Sequence, residues 1–227
     1  MADEAGITGA LPQAAHSADA IVVVGGGGHA KVVISILRKL DRHSILGYTD
    51  LKDKGALIGA PFLGGDSDLG SLAVRGKKLS AVIAVGQVGL GKLRCELYAR
   101  LRTIDLRFPP IVSPDAIVSK EASCGEGAVV MDGAVINAGA SVGTGSIVNT
   151  NSTIEHDSII SDWVHVAPGA TICGGVMIGQ FSMVGAGATV IEGIEVTAGC
   201  IVGAGATVVR SLTEPGVYVG CPAHRVR

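Results

Sequence analysis

Aromatic side chains make up only 3% of the 227 residues, while glycine supplies 34. So few rings exclude a core knitted by large aromatics, and so many glycines point to tight, repeated backbone packing. Basic surplus is also missing. With 18 Lys and Arg against 20 Asp and Glu and a formal charge of −2, the chain lacks what holding a polyphosphate backbone requires, so no nucleic acid partner is expected. Small anionic ligands stay open. The mean hydropathy of +0.48 is high, yet no run approaches the roughly 20 apolar residues of a membrane span, so no membrane insertion is expected. The opening MADEAGITGALPQAAHSA carries acids where a signal peptide needs bases and has no long apolar stretch. Residues 1–19 therefore read as a disordered leader and the protein as cytoplasmic. Five cysteines, at 95, 124, 173, 200 and 221, form no CxxC pair, which suits reduced thiols with structural roles.

What is present is a repeat. In steps of six from Val112 to Val208 the chain places Val, Ile or, once, Cys124 at all seventeen positions. Sixteen of the seventeen are Ile or Val although residues 111–209 hold only 28 such residues in 99, so the register is not accidental. Two residues earlier stands a small residue in most hexads, such as Ala128, Ala134, Ser146, Ser158, Ala170 and Ser182. Glycines at 125, 143, 179, 185 and 203 follow the aliphatic, where the chain is expected to bend. Six residues suit one face of a triangular parallel β-helix, with the branched aliphatic inside and the small residue beside the corner. Seventeen hexads then make between five and six coils, stacked about 4.8 Å apart. A β-helix serving only as a rigid spacer or ice-binding face is the bland alternative. A flat threonine ladder would favour it, and the exposed positions read as mixed.

Ahead of the repeat, residues 20–40 predict a buried strand, a glycine-rich turn and a helix with apolar residues at helical spacing. Gly25, Gly27 and Ala30 satisfy G-x-G-x-x-A, with Gly26 and Gly28 completing a turn that can approach a phosphate at a helix N-terminus. A second strand, SILGYTD, ends at Asp50, where a ribose-binding acid would stand. A third, LSAVIAVG, ends at Gly86 and precedes a helix over 89–102. Three β-α steps suit a mononucleotide better than a whole NAD fold. The expected division is a Rossmann-like α/β domain over 20–108 and an all-β helix with a short tail over 109–227, with residues 103–111, Pro109-Pro110 among them, reading as the link between them.

The combination of GGGGHAK (25–31), NTNSTIEHD (149–157), WVHVAPGATICGG (163–175) and the closing VYVGCPA (217–223) resembles one subgroup of the hexapeptide-repeat acyltransferases. These are the nucleotide-sugar N-acetyltransferases that act on UDP-4-amino sugars or GDP-perosamine, together with sialic-acid O-acetyltransferases. The resemblance implies a left-handed β-helix, a homotrimer, acetyl-CoA as co-substrate, no metal, and a role in making surface polysaccharide. It assigns His156 as general base, Asp157 as the acid that orients it, and Glu155 as an acid that could share that task. It also puts His165 at the acetyl end of the thioester, the Gly174 N–H at the thioester oxygen, and Ala186 and Ala204 along the pantetheine arm. In the front domain it places His29 and Asp50 near the nucleotide, with Ala84 and Gly86 lining the base.

The chemistry asks for these residue types. An amine attacks a thioester only when unprotonated, and an imidazole with a pKa near 6.5 can take its proton at neutral pH. A fixed N–H stabilises the oxyanion more than the ground-state carbonyl. Cys173, beside this region, reads as a packed corner, and the histidines at 16, 43 and 224 as surface residues. The competing classes are sugar O-acetylation, an NAD oxidoreductase suggested by the glycine turn, and a β-helix carbonic anhydrase. The last would need three converging imidazoles where the repeat offers two.

Overall fold

The computed structural model describes residues 19–70 and 79–227. The leader expected over residues 1–19, His16 with it, lies outside the described residues except for Asp19, which opens the first strand. Strand β1 (Asp19–Val24) leads through the glycine turn into helix α1 (Gly28–Leu40), followed by β2 (His43–Thr49), β3 (Leu79–Ile83), helix α2 (Lys92–Leu101) and β4 (Leu106–Arg107). The sheet is parallel throughout, in the order β2-β1-β3-β4. β4 lies in the stretch expected to be only a link. Its two residues reach Leu79 and Ser80 because Leu106 has a buried site beside Phe108.

The two faces of this sheet are covered differently. Val22, Val24, Ala81 and Ile83 pack against Leu97 and Leu101 of α2. Ile21, Val23 and Val82 pack against Val33, Ile34, Ile36 and Leu37 of α1. That second cluster continues into Ile111, Val129, Met131 and Ile147, so α1 is sandwiched between its own sheet and the repeat. Lys39 near the end of α1 clamps the same junction, its Nζ lying 2.7 Å from Asp115 and 2.5 Å from Asp132.

In the repeat, every one of the seventeen hexad positions ends a short strand, from Ile111–Val112 to Thr207–Val208. Residues 18 apart pair in parallel, as in Ile147 with His165 and His165 with Met183, so three hexads close one coil. The three faces carry eight, six and five strands. The front face, holding Val129–Val130, Ile147–Val148, His165–Val166 and Met183–Val184, lies under the front domain. The second holds Thr153–Ile154 and Thr171–Ile172, and the third Ile159–Ile160 and Met177–Ile178. Inside, the Ile and Val column is almost wholly dry from Val130 to Val208, each side chain contributing about 1.5–3 kcal/mol by burial.

The small position is also explained. Val164, Val176 and Cys200 are three larger residues that fill it, and one coil earlier stand Ser146, Ser158 and Ser182. Each serine hydroxyl accepts the amide of that larger residue, at 3.0, 3.2 and 3.0 Å. The hydroxyl also donates to a neighbouring turn carbonyl, so an otherwise orphaned buried amide is satisfied.

Two expectations change. The left-handed turn residues are not the glycines directly after the aliphatic but those three places after it, such as Gly127 and Gly145. Gly143 and Gly179 are needed because a Cβ there would lie 2.5 Å from Asp162 Oδ1 and 2.4 Å from Ala198 N of the next coil. And one face does carry a threonine column: Thr153, Thr171, Thr189 and Thr207 stand in register and are half-buried. After the last coil, Gly216–Val219 adds one more parallel strand beside Cys200–Val202, and His224–Arg225 folds back on it.

Candidate active site

The chain leaves each face of the triangular β-helix by a corner, and the predicted residues divide among corners and faces. His156 stands at the corner after Thr153–Ile154, opposite the face that carries the front domain. Its neighbour Asp157 adopts a left-handed backbone, φ 59°, which a short polar side chain tolerates better than a bulky one. The bend brings Asp157 Oδ2 to 2.9 Å from His156 Nδ1. Hydrogen bonding to Asp157, its charge and that of Glu155 raise the His156 pKa above its ordinary value. Glu155 is otherwise committed, its Oε2 accepting from Asn137 Nδ2 at 2.8 Å one coil earlier.

Gly174, one coil after His156, presents its amide at the same corner. A Cβ there would lie 2.6 Å from His156 Nε2, so the imidazole rests directly on this glycine. The Gly174 N–H has no backbone acceptor among the described residues, as is usual for this turn position, while Gly175 N–H donates to the His156 carbonyl at 2.9 Å. Cys173 is half-buried at the same corner, its Sγ unbridged and its thiol pKa raised by burial and by Glu192 and Glu155. Ala186 and Ala204 stack on each other at a different corner, between the first and second faces, where Gly205 N–H donates to the Ala186 carbonyl at 2.9 Å. Within one chain, therefore, His156 and Gly174 meet, whereas Ala186 and Ala204 lie across the threonine face from them.

His165 is on the front face and buried, unlike His156. A backbone carbonyl can only accept, so Nδ1 carries the proton given to Gln87 O at 2.9 Å, and Nε2 accepts from Asn149 Nδ2 at 3.0 Å. Burial, with the nearby Arg94 charge, pushes its pKa down to about 4 despite the Gln87 bond, so the ring is neutral. Reading the residues alone missed the shell around it. Asn149 and Trp163 lie in the segments 149–157 and 163–175 with no role that their residue types reveal, and Arg94 belongs to no motif. Arg94 is 1% exposed. Its Nη1 donates to Gly145 O at 2.5 Å and its Nη2 to Ile83 O at 3.5 Å, and it lies 6.0 Å from the Trp163 ring centre. It thus ties the end of β3 to the β-helix. One of two arginines in a charged helix, Arg94 gives no sign of this in sequence, because burial is decided by the docking of two domains.

At the carboxyl ends of β1, β2 and β3 a cavity of about 550 Å³ opens, bordered by Gly25, Asp50, Val85 and one side of α2. This is the switch point of the sheet, where the connections of β1 and β3 depart in opposite directions. Gly25 has φ 112° and donates to Thr49 O at 2.8 Å. Gly26 N–H donates to Asp50 Oδ2 at 2.8 Å, and Lys54 Nζ lies at 2.8 Å from the same oxygen, which together lower the Asp50 pKa. Asp50 thus braces the glycine turn, while Gly27 and Gly28 face open space at the start of α1. His29 packs behind them against Gly86, its pKa pushed down to about 4 by burial and by the nearby Arg94 charge. Ala84 points the other way, into the α1 side of the core, and Val85 takes the place expected for it at the cavity. His43, expected on the surface, is half-buried, its pKa lowered chiefly by burial. Among the described residues no three His, Cys, Asp or Glu side chains converge as a metal site would require.

Comparisons with known proteins bear on both parts. Residues 20–101 match the family described as the PglD N-terminal domain. A histidine-to-asparagine variant of perosamine N-acetyltransferase from Caulobacter crescentus, solved with CoA and GDP-perosamine, superposes with a TM-score of 0.85. It is 34% identical, over 91% of this chain and 96% of that one. The acetyltransferase domain of PglB from Neisseria gonorrhoeae gives 0.82 and 31% over 91% and 99%. WeeI from Acinetobacter baumannii gives 0.81 and 25% over the same 91% and 99%. A comparison with curated proteins returns no match. The front α/β sheet, the left-handed β-helix behind it and this degree of identity over nearly the whole chain have one reading: the chain belongs to the nucleotide-sugar acetyltransferases, enzymes that use acetyl-CoA.

Proposed function

We propose that the enzyme acetylates the 4-amino group of a nucleotide-linked amino-deoxysugar, with His156 as general base. The observation that carries this is the His156–Asp157 pair, 2.9 Å apart, with the imidazole resting on Gly174, whose amide has no backbone acceptor among the described residues. The amine attacks the thioester carbonyl, and Nε2 of His156 accepts the amine proton as the C–N bond forms. The Gly174 N–H donates to the developing oxyanion, and Asp157 stabilises the imidazolium from Nδ1. When the C–S bond breaks, the CoA thiolate leaves and can take the proton back from His156. His165, neutral and fixed by Gln87 and Asn149, borders the acetyl end, Ala186 and Ala204 flank the pantetheine arm, and Gly25–Gly28, His29 and Asp50 serve the nucleotide.

These assignments call for a homotrimer. His156 stands at the corner opposite its own front domain, and Ala186 and Ala204 at a third position, so a complete site takes residues from neighbouring copies. Residues 20–108 would hold the nucleotide and 109–227 the acetyl transfer. The relatives solved with CoA and GDP-perosamine support this class of acceptor. A cytoplasmic place in surface polysaccharide synthesis would supply both substrates. The test is thiol release from acetyl-CoA with UDP-4-amino, GDP-4-amino and sialic-acid acceptors, run on wild type and His156→Ala. We expect amide product only with the amino sugars and a roughly 10²–10⁴-fold loss of kcat in the variant. A trimeric His156→Ala that binds both substrates yet keeps within about threefold of wild-type turnover would remove His156 as the base.

A further inference from the structure

Resting on the nucleotide-sugar reading, we propose that the cavity at the ends of β1, β2 and β3 is a guanine site in which Glu96 reads the base. Its volume of about 550 Å³ lies within the range of small-ligand sites. The wall formed by α2 is one helical stripe, Leu93, Glu96, Leu97 and Arg100, the spacing that puts side chains on one side of a helix.

Three carboxylates border the cavity, and two are spent. Asp50 holds the Gly26 amide and Lys54. Asp66 accepts from Thr49 Oγ1 at 2.7 Å and from Arg100 Nη2 at 2.9 Å. Glu96 has no hydrogen bond or ion pair with the described residues, so its oxygens remain as two acceptors. A carboxylate can only accept, and its two oxygens are best used by adjacent donors. Guanine offers such a pair, N1–H beside the 2-amino group. Uracil offers one N–H between two carbonyl oxygens, one of which would face the second oxygen of Glu96 and repel it. Arg100, one turn along, brings donors that suit guanine O6 next to N1. Leu51, 98% exposed, and Leu93, 64% exposed, stand at the same walls and would gain by covering the faces of a flat ring.

Calorimetric titration of the full chain with GDP, inosine diphosphate and UDP tests this without acetyl transfer. Inosine diphosphate differs from GDP only in lacking the 2-amino group. We expect GDP to bind roughly ten- to a hundredfold more tightly than UDP, and about tenfold more tightly than inosine diphosphate. Glu96→Gln should weaken GDP about tenfold, erase its advantage over inosine diphosphate, and leave UDP equal or tighter, because an amide matches uracil N3–H and O4. Wild-type preference for UDP, or equal weakening of all three ligands in the variant, overturns the guanine assignment alone. Failure of all three to bind overturns the nucleotide-sugar reading with it.

Discussion

Gly174→Ala isolates the geometry on which the chemistry depends. The added Cβ would lie 2.6 Å from Nε2 and 2.7 Å from Cε1 of His156, where ordinary contact begins near about 3.5 Å, so the imidazole must retreat by about 1 Å. It has room to do so, since its side chain is 65% exposed. Gly174 also lies outside the left-handed region, so alanine imposes no backbone strain. The stability change should therefore stay within about 0.5 kcal/mol, as for other surface substitutions. The amide N–H is retained. What is lost is the position of the base, and a displacement of about 1 Å can cost roughly 10² in rate. Steady-state thiol release, with light scattering to check assembly and a melting curve to check folding, separates the two. We expect kcat lowered about a hundredfold with Tm unchanged. A variant with near wild-type kcat would refute the claim that the ring acts from its seat on Gly174, and one that unfolds would refute the steric account.

Other perturbations reach other parts of the argument. Because Asp157 raises the His156 pKa, Asp157→Asn should lower it; a base is active when deprotonated, so the acid limb of kcat/KM should move to lower pH, and a limb unmoved or moved upward contradicts the pairing. Asp50→Ala frees the Gly26 amide and Lys54, so the acceptor KM should rise severalfold while that of acetyl-CoA holds; equal changes in both would count against a nucleotide role. Arg94→Ala leaves the carbonyls of Gly145 and Ile83 unpartnered beside a cavity and should cost about 2–5 kcal/mol in chemical denaturation, whereas a loss under about 1 kcal/mol would mean water replaces the guanidinium.

The β-helix is legible from residue order alone, because a coil is a local object. A branched aliphatic every six residues can be buried only if the chain turns a corner every six, and no distant contact is needed to see it. The glycine turn, the three main strands of the front sheet and the two helices were legible for the same reason, whereas the His156–Asp157 pair, though adjacent in the chain, drew its roles from the family resemblance. Whatever depends on stacking and docking emerged only from the folded chain. Stacking in steps of 18 set Glu155 against Asn137, put His156 on Gly174 and aligned the threonine column. The alternation of the third strand turned Ala84 inward and Val85 to the cavity. Docking of the front domain on one face buried Arg94 and tied both nitrogens of His165 to Gln87 and Asn149. Hydropathy reports what a residue prefers, but burial of an arginine or a histidine depends on which surface arrives above it, and that surface lies dozens of residues away in the chain.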